Sequence, residues 1–118
     1  MEIRHLTPDV AVGPQISADD IAAIKDAGFR AIVCNRPDGE GFDQPDFREI
    51  EVAARSAGIE TRYVPVQSGM IQAQDVVDFG AAVAELPRPL LAYCRSGARS
   101  AMLWSYHEAR TGGAERAS

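Results

Sequence analysis

Cysteine is scarce in this chain, with only Cys34 and Cys94 among 118 residues. That scarcity excludes a disulfide framework, and the lack of any Cys-x-x-Cys spacing excludes a thiolate zinc site. Both cysteines read as free thiols. Histidine is as rare: His5 and His107 share no ligand spacing, and His107-Glu108-Ala109-Arg110 lacks the second histidine of a zinc-peptidase helix. No metal and no organic cofactor is expected. Long apolar runs are missing too, well short of the roughly 18 to 20 residues that span a bilayer. The start, Met1-Glu2-Ile3-Arg4-His5, has no apolar stretch of the kind a signal peptide needs. A membrane partner is therefore excluded and a cytoplasmic location expected. Basic residues are outnumbered, 12 against 17 acidic ones for a net charge of −5, which argues against nucleic-acid binding through counterion release.

What remains is a composition that folds. Apolar residues make up 46% and charged residues 25%, as in soluble globular domains, and the length suits one domain without repeat or linker. Short extended segments are predicted at 3–5 and 10–12, separated by the turn signal Thr7-Pro8-Asp9 and forming a sheet edge. Ser17 is placed to cap a first helix, with Asp20 at the reciprocal position and Ile16 stapled onto Ile21. Gly28 closes that helix. Strands are expected at 29–35, 61–66 and 90–93. Helices are expected from Asp46 to Ala57, from Gln72 to Leu86 with a stripe of Val76, Phe79, Val83 and Leu86, and from Ser100 to about Arg110. The alternation implies a single α/β domain with a mostly parallel sheet of four or five strands flanked by helices. It should occupy residues 1–110, with 111–118 as a flexible tail.

In such sheets the ligand site lies beyond the carboxyl ends of the strands. There the sequence reads Tyr93-Cys94-Arg95-Ser96-Gly97-Ala98-Arg99-Ser100. A strand that breaks into a glycine-containing loop and then opens a helix turns backbone N–H groups toward one point, and the helix N-terminus adds positive partial charge. Arg95, Ser96, Gly97 and Ala98 are the candidate oxyanion cradle. The same field, with Arg99 beside it, favours a thiolate at Cys94, the candidate nucleophile. Ser100 is a candidate hydrogen-bond donor to that thiolate or to a leaving group. Two arginines in one short loop of an acidic protein point to a small anionic substrate.

The loop, with Asn35-Arg36-Pro37-Asp38-Gly39-Glu40, the strand Val64-Pro65-Val66 and Ile16-Ser17-Ala18-Asp19-Asp20-Ile21, resembles the beta-lactamase-hydrolase-like phosphatase family, related to protein tyrosine and dual-specificity phosphatases. The resemblance covers roughly residues 3 to 110 of this chain. It implies a cysteine-phosphatase fold, Cys94 as nucleophile, the loop amides as phosphate cradle and Arg99 as guanidinium clamp. The family's pattern continues with a further helical segment, so apolar surface left uncovered here makes homo-oligomerisation an expectation. Two departures from the wider superfamily keep the chemistry open. The loop from Cys94 to Arg99 is one residue shorter, with Ser100 where the arginine would stand, and in this it is equally similar to rhodanese-type sulfurtransferases. The segment where an aspartate general acid belongs reads Val66-Gln67-Ser68-Gly69-Met70, which leaves Asp38 and Asp75 as candidate acids. Three functions follow: a phosphate-monoester hydrolase with a phosphocysteine intermediate, a sulfurtransferase carrying a persulfide on Cys94, and a non-catalytic anion-binding module.

Arg36 and Asp38 follow a strand that should end beside Cys94, so they are candidate pocket residues against the alternative of a solvated turn. Cys34 reads as core filler, with a redox role toward Cys94 as the alternative. Trp104 and Tyr106 read as packing on the last helix, and Asp19-Asp20 as helix capping.

Overall fold

The structure, a computed structural model, describes residues 2–117, with side chains over residues 2–112. Five strands form one sheet: β1 (Arg4–His5), β2 (Val10–Gly13), β3 (Ala31–Cys34), β4 (Glu60–Tyr63) and β5 (Leu90–Tyr93), in the order β1-β2-β5-β3-β4. β1 pairs antiparallel with β2, and every other pairing is parallel. The expected hairpin thus ends the sheet, but of its two strands β1 alone is an outer one, β4 being the outer strand at the other edge. β2 is buried along its whole length and pairs with β5.

Period-two alternation divides the strand side chains between two cores. On one face Val10, Val12, Ala31, Val33, Leu90 and Ala92 meet Val76, Phe79 and Val83 of α3 (Ala73–Glu85) and Leu103 of α4 (Ala98–Ala117). On the other, Ala11, Ile32, Cys34, Leu91 and Tyr93 meet Ile21 and Ile24 of α1 (Ile21–Asp26) and Ile50 and Ala54 of α2 (Phe47–Ser56). The result is a three-layer α/β sandwich in which β5, flanked on both sides, is buried at every residue.

Entry into the first helix follows the residues predicted to cap, whereas the cap ahead of α3 was not predicted. Asp20 Oδ2 accepts the Ser17 N–H at 2.9 Å, and a short 3-10 turn over Ala18–Asp20 leads into α1. Asp75 Oδ2 accepts the Gln72 N–H at 2.8 Å ahead of α3. α4 departs from expectation at both ends. It begins at Ala98, inside the predicted loop, and continues to Ala117 through most of the stretch expected as a tail. Thr111 Oγ1 donates to the His107 carbonyl at 3.0 Å where the helix was expected to stop.

Candidate active site

Three strands deliver the site. β5 ends at Tyr93, β2 at Gly13 and β3 at Cys34, all at one level of the register. The following loops are stitched together by backbone. Cys94 N–H donates to the Gly13 carbonyl at 3.3 Å, Gln15 N–H to the Arg95 carbonyl at 3.2 Å, and Asn35 N–H to the Tyr93 carbonyl at 2.8 Å. Cys94 is buried, and the Gly97 N–H donates to its sulfur at 3.1 Å. The loop turns because Gly97 has φ +96°, and a Cβ there would sit 3.3 Å from the Gly13 carbonyl group. Both the sign of φ and the close approach call for glycine. With α4 starting at Ala98, the sulfur lies at the positive end of a long helix.

Arg99 is buried and its hydrogen bonds are asymmetric. A guanidinium carries five N–H groups. Nη1 donates to Glu40 Oε2 at 3.0 Å and to the Val66 carbonyl at 2.9 Å, and Nη2 donates to Glu40 Oε1 at 3.1 Å. Nε, fully buried, has no partner among the described residues. The end-on edge of the fork is therefore held by Glu40, while Nε–H and the second Nη2–H, which share the side-on edge, have no partner among the described residues.

Glu40 was not singled out from the sequence, yet it joins the two arginines. Its Oε1 also accepts Arg36 Nε at 3.0 Å, and Arg36 Nη1 reaches Gln15 Oε1 at 3.0 Å. The hydrogen bonds from Arg99 hold its carboxyl below the ordinary carboxylate range, partial burial opposes them, and Arg36 adds to the lowering. Asn35, wholly buried, is the other residue missed. Its side chain donates to the Val64 carbonyl at 3.0 Å, and its backbone carbonyl accepts Val66 N–H at 3.0 Å, so it fastens the β3 loop to the segment after β4. The sequence signal for both was the run Asn35 to Glu40, which the resemblance already quoted without giving either residue a role.

Several predicted residues fall elsewhere. Ser100 Oγ donates to Asn35 Oδ1 at 2.9 Å, so the hydroxyl expected on the thiolate secures the loop instead. Of the two pocket candidates, Arg36 is buried in the Glu40 network. Asp38 is exposed, and its Oδ1 accepts the Phe47 N–H at 2.8 Å at the start of α2. Asp38 and Asp75, the candidate acids, both cap helices. Arg95 and Ser96 are exposed on the loop. The Arg95 side chain makes no hydrogen bond or ion pair among the described residues, and Ser96 Oγ accepts the Ala98 N–H at 3.3 Å. Cys34 lies opposite Tyr93 in register, on the face of the α1 and α2 core, and its sulfur donates to the Arg36 carbonyl at 3.3 Å. Burial pushes the Cys34 thiol up to about 11 against the hydrogen bonds that lower it. Both cysteines are buried free thiols. Among the described residues no group of three or more His, Cys, Asp or Glu could hold a metal ion.

Comparison with known proteins agrees with this geometry. The family described as beta-lactamase hydrolase-like protein, phosphatase-like domain, matches residues 2–111. A beta-lactamase hydrolase-like protein of Xylella fastidiosa strain Temecula1 is 33% identical over 116 residues, 98% of this chain. The chain spans only 27% of that relative's length. Among solved structures, a candidate phosphatase from Neisseria meningitidis Z2491 superposes with a TM-score of 0.87 at 36% identity, over 95% of this chain and 80% of that one. A second candidate phosphatase, from Shewanella putrefaciens CN-32, shares the fold with a TM-score of 0.80 at 18% identity, over 94% of this chain and 72% of that one. The chain belongs to the phosphatase-like domain family of the beta-lactamase hydrolase-like proteins.

Proposed function

We propose that this protein is a cysteine-dependent hydrolase of a small phosphorylated substrate. The thiolate of Cys94 attacks phosphorus, the leaving oxygen departs, and water then cleaves the phosphocysteine to release inorganic phosphate and the thiolate. The observation that carries this reading is the divided guanidinium of Arg99, with one edge fixed by Glu40 and the Val66 carbonyl and the side-on edge unpaired and buried. Two parallel N–H groups at fixed spacing suit two oxygens of a phosphoryl group. Because Glu40 already holds the side chain, little reorganisation is needed as charge develops. The amides of the loop and the N-terminus of α4 supply the remaining donors.

A second reading has its own observation. The loop from Cys94 to Arg99 is short enough that the Gly97 N–H donates directly to the sulfur at 3.1 Å. Such a tight cradle also suits a persulfide on Cys94, formed by attack on the outer sulfur of thiosulfate with departure of sulfite. The two readings separate in paired assays on one preparation, with wild type and Cys94→Ser. One assay follows phosphate release from an aryl phosphate, and the other follows sulfite or thiocyanate from thiosulfate. Cys94-dependent phosphate release is expected. Turnover of thiosulfate alone overturns the hydrolase, and turnover of neither leaves the anion-binding module.

A further inference from the structure

The carboxylates around the loop narrow the substrate class, on the reading that Cys94 attacks a phosphoryl group. Alkoxide leaving groups need a proton as the P–O bond breaks, and a positioned general acid typically contributes about 10²- to 10⁴-fold. Asp38, Glu40 and Asp75 are each committed to another task. Asp38 Oδ1 accepts the first backbone N–H of α2, and Asp75 Oδ2 accepts the Gln72 N–H just ahead of α3, both at 2.8 Å. Glu40 lies between two guanidinium groups and is held ionised. The segment after β4, from Val64 to Gln72, contains no carboxyl at all. The Ser100 hydroxyl is donated to Asn35, and the histidines lie away from the loop, His5 stacked on Phe29 and His107 packed against Gly80 of α3. In the β3–α2 loop the side chains of Asp43 and Asp46 have no hydrogen-bond partner among the described residues, and both are exposed, Asp43 beside the fully exposed Phe42. Charge near the loop also has a sign. Arg36, Arg95 and Arg99 outnumber Glu40, and Arg95 is exposed on the rim with no partner among the described residues.

We propose that the substrate of the Cys94 site carries its phosphoryl group on a leaving group that departs as a weakly basic anion, as in an acyl phosphate, a phosphoanhydride or the ester of an acidic phenol, and not on an alkoxide. In the step so defined the sulfur lone pair forms the S–P bond. The P–O bond breaks with its electron pair on the departing oxygen, and no proton is delivered to it. Water then attacks phosphorus, the S–P bond breaks toward the thiolate, and the proton of the water goes to solvent. The unpaired guanidinium of Arg95 is available to the charge of the departing anion.

The test measures kcat/KM of the full chain on dinitrophenyl, mononitrophenyl and phenyl phosphate, on glycerol phosphate and on acetyl phosphate, with wild type, Cys94→Ser and Asp43→Asn. The expected result is a fall of at least about 10³-fold from dinitrophenyl to phenyl phosphate, the factor an acid would otherwise recover. Acetyl phosphate should match the dinitrophenyl ester, and glycerol phosphate should not be turned over. Asp43→Asn should leave the slope of the series unchanged, and the alkaline side of the pH profile should show no loss of activity. A flat series overturns the proposal, as does a slope that steepens in Asp43→Asn, since either reveals a working acid while the hydrolase itself stands. Failure of Cys94-dependent turnover even on dinitrophenyl phosphate removes the hydrolase reading, and the proposal with it.

Discussion

Replacing Glu40 by glutamine keeps the size of the side chain and removes its charge, which isolates the ion-pair role from packing. Glu40 makes three contacts of 3.0 to 3.1 Å with two arginines whose side chains are only 8% and 10% exposed. Exposed ion pairs are worth about 0 to 1 kcal/mol, while removing one partner of a buried pair costs about 3 to 5 kcal/mol. The Glu40 side chain is 25% exposed, so solvent screens part of the loss, and glutamine retains one acceptor oxygen. A destabilisation of about 1 to 3 kcal/mol is therefore expected for Glu40→Gln near neutral pH.

The measurement is urea unfolding of wild type and variant across a pH series. Because the folded carboxyl is held below its ordinary value, its stabilisation is present above the unfolded-state value and lost as pH falls through the folded one. The gap between the two proteins should be constant at neutral pH and close in acid, where wild-type Glu40 also becomes neutral. Activity should fall as well, by about 10- to 100-fold in kcat/KM, because the clamp loses the partner that fixes its orientation. A gap under about 0.5 kcal/mol at neutral pH, or one that persists unchanged into acid, would refute the claim that this carboxylate holds the two arginines.

Other consequences follow from single contacts. Ser100→Ala should cost about 1 to 3 kcal/mol in urea unfolding, because it leaves the buried Asn35 Oδ1 without its donor. A serine that served only the thiolate would instead change rate and not stability. Gly97→Ala should destabilise by about 1 to 3 kcal/mol and lower anion affinity measured by calorimetry, given its φ of +96° and the 3.3 Å approach to Gly13. Full phosphate affinity in that variant would mean that the loop amides are not the cradle. Cys34 should resist alkylation in the native protein at pH 8, as burial and a thiol pushed up to about 11 both protect it. Modification of Cys34 by mass spectrometry without unfolding would contradict its placement.

The layers of the fold were legible because they rest on local periodicity. Val76, Phe79 and Val83 at helical spacing became the buried face of α3, and Leu90 to Tyr93 became the fully buried central strand. The capping role of Ser17 and Asp20 was legible for the same reason, since the partners lie three residues apart. Element ends were harder. α4 starts at Ala98 because Gly97 completes the turn on its own, and it runs on past Arg110 through Thr111, whose hydroxyl bonds back to the previous turn.

The site divides along the same line, and the division explains why the sequence left the chemistry open. Cys94, Gly97 and Arg99 lie within six positions, so their motif can be read directly, and the geometry keeps the sulfur and its amide donor together. The residue that decides what Arg99 can do, Glu40, is 59 positions away. Counting within the loop raised the question of whether so short a spacing suits a phosphoryl group at all. Which edge of the guanidinium is left without partners among the described residues is set by Glu40 and by the Val66 carbonyl, contributed by loops after β3 and β4. Asn35 ties those two loops to each other and, through Ser100, to α4. Arg99 is thus fixed by tertiary contacts that no local motif records, while Nε–H and the second Nη2–H on its side-on edge have no partner among the described residues.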